Sequence, residues 1–357
     1  MPLPLVIRRN DFTLDADEQA VADSFAVFFA DYPLTKVREH EPLGFDPDLW
    51  GHLCSLGGVS MAVPSAAGGD GGSLVQAALI AELCGDRVAP VPCAEVVAVA
   101  RLLARLDGPD PALLADVLAG RRIIGLASRS AVRGWPTLVG CGAVADAVIG
   151  VADGSLVLLT PKGDKPAHVV TQGSLPTAYW SPDGCEVRAL ADGATSRELF
   201  DQACAEYKVL TASSLAGLAA AAIALAAGFA TTRMTRGVPI GSLQGISHPL
   251  VDAKIRTEGV RQTARKAAWF CEHEPEADPK LPSVAFIGAA RAAEEATRVS
   301  VHTHGGMGVM IEGDTSLYFL RAISWASVVG GVADELAALA KILQTPRYLD
   351  VVYPSML

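Results

Sequence analysis

A mostly α-helical fold with a small β domain in its middle is what this sequence predicts, on three observations. Apolar residues recur at helical spacing from Asp15 to about Gly120, short apolar runs cut by glycine and proline fill Arg122 to about Phe200, and helical periodicity returns from Ala203. The domains that follow are an N-terminal helical domain over 1–120, a middle β domain over 121–200 and a C-terminal helical bundle over 201–357.

In chain order, Ala20, Val21, Phe25, Phe28 and Phe29 mark the first helix, and Leu113, Leu114, Val117 and Leu118 close the helical region. Between them Leu56-Gly57-Gly58-Val59, Val63-Pro64 and Gly68-Gly69-Asp70-Gly71-Gly72 predict a turn-rich loop. Ala143 to Ile149 and Ser155 to Leu159 read as strands joined by a hairpin turn at Ala152-Asp153-Gly154. Helices are then expected over Pro249 to His273, Pro282 to His302 and Leu317 to Leu343, with a break from Glu272 to Pro282. The uncharged stretch from Leu210 to Thr232 is long enough to span a bilayer. It is dominated by Ala, Gly, Ser and Thr and has no aromatic belt, which predicts a closely packed helix inside a soluble bundle.

Length and composition narrow the function. With 357 residues, half of them apolar, a continuous core is expected, and a formal charge of -10 without a basic run disfavours nucleic acid and anionic membranes as partners. The seven cysteines lack C-x-x-C spacing, which fits a reducing cytoplasm and makes zinc improbable. The opening MPLPLVIRRNDF lacks the basic start and apolar core of a signal peptide, so a cytoplasmic location is expected. His302-Thr-His304 would place two imidazoles on one side of an extended segment, yet no third metal ligand stands nearby.

Two co-ordered motifs carry most of the functional information: Arg233-Met-Thr-Arg-Gly237-Val-Pro-Ile240-Gly-Ser-Leu-Gln244, and much later His302-Thr-His-Gly305-Gly306-Met-Gly308. Upstream stand Phe45-Asp-Pro-Asp-Leu-Trp50, Leu56-Gly57, Val63-Pro64, Gly68-Gly69-x-Gly71 and Ala81-Glu82-Leu83-Cys84-Gly85. In order and spacing, over roughly the whole chain, these resemble the acyl-CoA dehydrogenase family. The resemblance implies a helical domain, a β-barrel-like middle domain and a C-terminal four-helix bundle whose copies assemble into dimers and tetramers. It also implies FAD as cofactor, with Arg233, Gln244 and the Gly305, Gly306 and Gly308 loop facing the ADP portion of a flavin bound largely by the neighbouring subunit. Arg236 and His302 belong to the same expected cofactor-binding set. They depart from the family, since Thr235 and Arg236 stand where it has Gln and Phe, and His302 where it has Gln. An arginine at 236 adds a second cation near a diphosphate but removes a flat aromatic surface. Read without the family, Arg233 and Arg236 are solvated helix-end charges capping carbonyls.

The implied chemistry is α,β-desaturation of an acyl-CoA thioester, in which a carboxylate takes the α proton and the β hydrogen leaves as hydride to the flavin. A base is indispensable. Registering Arg321 on the family's Arg-Asp pair puts Gly330-Gly331-Val332 where most members have their Glu-bearing turn. Other members carry the Glu at the start of the long Ala-rich helix, and counting back from Arg233 reaches Tyr207, one residue past Glu206. Glu206 is thus the sole candidate base, with an exposed first-turn carboxylate as its plainer reading. Glu312-Gly313-Asp314-Thr315 imitates the base-bearing turn but follows Gly308 too closely. The stretch from Ile124 to Trp135 shows neither of the family's flavin-ring patterns; Trp135 either stacks on a ring or packs in the core.

The motifs that would serve a partner's FAD survive and those that would serve the chain's own ring and base do not. The expectation is therefore a non-catalytic subunit, supplying ADP-side contacts to a homologous Glu-bearing subunit in an α2β2 heterotetramer. It resembles the base-lacking subunits of two-component dehydrogenases that act on steroid side chains. The alternatives are a self-sufficient homo-oligomeric dehydrogenase or oxidase using Glu206, and a non-enzymatic scaffold of the same fold. Small residues at Ala219 to Ala222 either widen a cavity for a bulky ring system or serve close helix packing.

Overall fold

The computed structural model describes residues 11–108 and 110–344, so the opening segment MPLPLVIRRN lies outside the described residues. The N-terminal region is helical as expected: α1 (Ala16–Ala30), α2 (Leu34–Glu39), α3 (Pro47–Ser55), α4 (Leu74–Asp86), α5 (Cys93–Ala104) and α6 (Pro111–Leu118). The Phe45–Trp50 motif is a helix start. Asp46 accepts the N–H groups of Asp48 and Leu49 while Pro47 occupies the first turn of α3, and Trp50 donates its indole N–H to Gly120 O at 3.1 Å. Ser73 and Gln76 form a reciprocal capping box that opens α4.

The middle region holds β1 (Ile124–Leu126), α7 (Ser130–Arg133), β2 (Thr137–Val139), β3 (Ala147–Ala152), β4 (Ser155–Pro161), β5 (Ala178–Trp180) and β6 (Cys185–Ala191). A four-stranded sheet runs β1-β3-β4-β6, with β1 parallel to β3 and the remaining neighbours antiparallel, and β2 pairs with β5 in a second small sheet. The β3–β4 hairpin turns where expected, because Asp153 and Gly154 both take the positive φ that a two-residue hairpin requires.

A single long helix, α8 (Gly193–Thr232), begins inside what the sequence reading assigned to the β domain and organises everything after it. A hairpin of β7 (Met234–Thr235) and β8 (Val238–Pro239) leads to α9 (Gln244–His273), α10 (Leu281–His304), α11 (Asp314–Val329) and α12 (Val332–Leu343). Helices α8 to α11 pack on one another as a four-helix bundle, and α4 and α5 lie across α8. The helix expected over Leu317 to Leu343 is therefore two, parted at Gly330–Gly331, where φ values of 161° and 77° stop the helical ladder. Although α8 is long and apolar enough to cross a membrane, most of its apolar window is buried inside the molecule. Close approach explains its small residues: a Cβ at Gly85 would meet Ser214 O at 1.8 Å, and one at Gly217 would meet Glu82 O at 1.9 Å. The α4–α8 crossing is thus a backbone contact that only glycine permits. Ala219 and Ala222 are fully buried in the same packing.

Candidate functional site

One end of the bundle gathers the residues expected around the ADP portion of a flavin. Helix α8 stops at Arg233, whose N–H still bonds Phe229 O at 2.9 Å, and the chain reverses through Arg236 and Gly237, both at positive φ. Ile240 N–H returns to Arg233 O at 2.8 Å, and Gln244 opens α9. Across this turn Gly305 ends α10 at φ 62°, and the rings of Phe229 and His304 stack at 4.4 Å, joining the two motifs. The Arg233, Arg236, Gln244 and His302 side chains are exposed, as are Gly305 and Gly306. Neither arginine has an ion-pair or carbonyl partner among the described residues, so the capping role read without the family is not seen. A Cβ at Gly305 or Gly306 would meet nothing within 4 Å, whereas one at Gly308 would meet Val301 O at 2.4 Å. Gly308 therefore answers to the chain's own packing, and Gly305–Gly306 leave open backbone beside two free guanidiniums. That is a fit for a diphosphate, which charge-assisted and backbone donors recognise together.

The surface around this cradle is apolar: Met234, Val238, Leu243, Met307, Val309, Met310 and Ile311 are all exposed, Ile311 to 78%. His302 and His304 lie in the last turn of a helix, not in an extended segment, so they diverge instead of sharing one side. His304 spends Nδ1 on Ser300 O at 2.8 Å and its ring on Phe229, a packing and hydrogen-bonding role.

Glu206 is neither exposed nor in a first turn. It sits well inside α8, fully buried, with Arg101 Nε 3.1 Å from one carboxylate oxygen and Arg105 Nη2 2.5 Å from the other. Arg101 also donates to Ala62 O and lies 3.4 Å from Glu272. Two guanidiniums pair with this carboxylate and occupy both its oxygens, which suits a structural tie between α5 and α8. Tyr207 is buried beside it, its hydroxyl 3.5 Å from Glu95, and burial followed by the field of Glu95 pushes the phenol well above its ordinary range.

Glu95 was not singled out from the sequence, although it is an acid inside the apolar run from Pro92 to Leu103. Its two oxygens accept Leu126 N–H at 2.8 Å and Cys141 N–H at 3.0 Å, fastening α5 to the β domain, and burial lifts its pKa to about 7.

The third part is a crevice of about 240 Å³ between the Ser128–Arg133 segment, α8 and the Gly330–Glu335 segment. The structure thus does bring Gly330 together with the stretch matched to the family's flavin-ring loop. Every acid lining the crevice is already paired. Asp334 bridges Arg129 at 2.6 Å and Arg133 at 2.8 Å, Asp201 takes Arg197 at 2.6 Å, and Glu335 takes Lys208 and the Ser283 hydroxyl, each at 2.9 Å. A Cβ at Gly330 would stand 3.5 Å from Glu335 Oε1, an ordinary contact distance, so Glu335 borders the space beside Gly330. Asp334 and Glu335 sit beyond the glycine pair, outside any motif, and their spacing gave no signal. Trp135 donates its indole N–H to Val151 O at 2.9 Å and lies against Gly150, which makes it a packing residue.

The acyl-CoA dehydrogenase N-terminal domain matches residues 15–105, and the acyl-CoA dehydrogenase C-terminal domain matches residues 199–340. Acyl-CoA dehydrogenase FadE27 of Mycobacterium tuberculosis is 32% identical, the match covering 85% of this chain and 90% of that protein. Among solved structures, the ChsE4-ChsE5 complex from Mycobacterium tuberculosis superposes with a TM-score of 0.81 at 26% identity, covering 94% of this chain and 100% of that one. The Tcur3481-Tcur3483 steroid ACAD shares the fold, with a TM-score of 0.80 at 23% identity and coverage of 92% and 97%. Two domain matches in order, a relative aligned over most of both lengths and a bundle ending in Arg233 and Gly305–Gly306 agree: this chain belongs to the acyl-CoA dehydrogenase family.

Proposed function

We propose that this chain is the non-catalytic subunit of a heteromeric, FAD-dependent acyl-CoA dehydrogenase, working in the cytoplasm as half of an α2β2 assembly. The carrying observation is the base position: Gly330 stands there, and the alternative, Glu206, is sealed between Arg101 and Arg105. Arg233, Arg236, Gln244 and the Gly305–Gly306 backbone would hold the ADP portion of FAD contributed by a homologous subunit, and the exposed apolar side chains around them would be covered by that subunit. FAD, when bound, supplies the hydride acceptor for desaturation. This chain's part is to bind the diphosphate electrostatically and to complete the interface, while the partner provides the ring slot and the carboxylate. The two solved neighbours named above are two-component complexes, one of them a steroid ACAD, which supports a partner subunit and favours a bulky acyl group as substrate.

Native mass spectrometry tests this reading on the chain alone and after co-expression with a Glu-bearing homologue. The expected result is one FAD per mixed pair, desaturation of acyl-CoA by the mixed species and no FAD on the lone chain. One FAD per copy in an active homo-oligomer would overturn it.

A further inference from the structure

The cradle at the bundle end is made of two helix ends, and a diphosphate can reach both only if their spacing is held. Helices α8 and α10 pack along one another through small side chains: Ala222, Ala226 and Ala230 on the first and Ala289, Ala293 and Ala296 on the second are all buried. Shallow alanine ridges bring two helices close without fixing how far each has slid along the other. The polar residues at this end add no cross-tie. Thr231 and Thr232 spend their hydroxyls on the carbonyls of Gly228 and Phe229, within α8 itself. Among the described residues no hydrogen bond or ion pair joins the last turn of α8 to α10.

Phe229 supplies what the alanines do not. It is the only Phe, Trp or Tyr between Tyr207 and Trp269, and its half-buried ring stacks on that of His304, with centroids 4.4 Å apart and planes 28° apart. His304 is held in turn. A carbonyl oxygen can only accept, so Nδ1 carries the proton in the 2.8 Å bond to Ser300 O, and that bond fixes the rotation of the imidazole. Each ring stands one step from the cradle: Phe229 O accepts the N–H of Arg233 at 2.9 Å, and His304 directly precedes Gly305. The stack therefore sets the distance between the turn that carries Arg233 and Arg236 and the open backbone of Gly305 and Gly306.

We propose that Phe229 and His304 are positioning residues for the cofactor, a stacked clamp that holds the arginine turn and the glycine loop at the spacing one diphosphate bridges. This role rests on the reading that the cradle takes the ADP portion of a partner's FAD, and it asks neither ring to touch the cofactor. A cradle that spends only about a tenth of its time in the fitting arrangement binds about ten times more weakly.

The test is release of FAD from the purified mixed complex, followed by the rise in flavin fluorescence on dilution, with subunit composition checked by native mass spectrometry. Release about tenfold faster is expected in Phe229→Leu and in His304→Leu, and no faster in the double variant, since both substitutions break the same contact. His304→Gln keeps a donor for Ser300 O but loses the ring, so it should release FAD as His304→Leu does and serves where the leucine variant does not assemble. His304→Phe loses the donor but keeps the stack, and should return release to within about twofold of the wild-type rate. Unchanged release in Phe229→Leu or His304→Gln, losses that multiply in the double variant, or no rescue by His304→Phe would overturn the clamp while leaving the shared site in place. A wild-type mixed complex without FAD overturns the shared site itself, and the clamp with it.

Discussion

Replacing Glu206 by Gln separates a structural carboxylate from a working base. In the structure Glu206 is fully buried between Arg101, which is 6% exposed, and Arg105, which is 24% exposed, with nitrogen–oxygen distances of 3.1, 3.2 and 2.5 Å. Removing one partner of a buried ion pair costs about 3–5 kcal/mol because the remaining charge stays desolvated. Here the lower end applies: Arg101 keeps Glu272 at 3.4 Å and the Ala62 carbonyl, and Arg105 is open enough to turn toward water. A loss of about 3 kcal/mol, at a urea slope of about 3 kcal/mol per M for a chain of this size, lowers the unfolding midpoint by about 1 M. The assay is urea unfolding of the lone chain beside turnover of the assembled complex. A lower midpoint with the turnover of the remaining folded complex intact is expected. An unchanged midpoint together with lost turnover would refute the reasoning and make Glu206 the base.

Three further outcomes follow from the same geometry. Glu95 has its pKa raised from 4.5 to about 7, so the folded chain holds a proton that the unfolded chain releases. Its contribution is complete below about pH 4.5 and is lost as pH rises through 7, a swing of about 3 kcal/mol, and Glu95→Gln should flatten the stability profile measured by urea unfolding between pH 5 and 8. Gly217→Ala forces a Cβ to 1.9 Å from Glu82 O; it should cost about 3 kcal/mol, at the upper end of overpacking, and lower Tm by several degrees, with an unchanged Tm telling against a backbone contact at the α4–α8 crossing. Arg233→Ala combined with Arg236→Ala touches exposed side chains, so lone-chain stability should move by less than about 0.5 kcal/mol while the FAD content of the mixed complex falls; retained FAD would remove these residues from the cofactor site.

The sequence made the order of domains legible because helical and strand periodicities are local signals. The Asp153-Gly154 turn could be read from single residues whose backbone demands are known. What failed depended on where a helix starts and what it touches. Glu206 looked like a first-turn carboxylate because no cap marks the start of α8 at Gly193, where Asp192 makes no side-chain cap bond. The arginines that bury it come from α5, far away in the chain, and no spacing rule connects them. Glu95 escaped for the same reason: it is ordinary in its own helix and unusual only in the company that tertiary packing supplies. The pairing of Asp334 with Arg129 and Arg133 likewise exists only once α12 has turned back at Gly330–Gly331.

The two half-sites stand in opposite physical states, and that contrast bears on the proposed division of labour between two subunits. At the bundle end Arg233 and Arg236 are unpaired, Gly305–Gly306 are open, and apolar side chains from three segments face outward together. Around Gly330 the acids are paired, Asp334 with Arg129 and Arg133 and Glu335 with Lys208. Loss of function through drift would relax both places alike, since neither would be held by selection for binding. An exposed apolar surface carries a standing cost in solubility, and unpaired arginines beside it gain nothing within the lone chain. Persistence of the open half alongside closure of the other is what division of labour between two subunits requires. On that proposal the open half is useful only when another chain covers it, and no ring or substrate has to enter the half around Gly330.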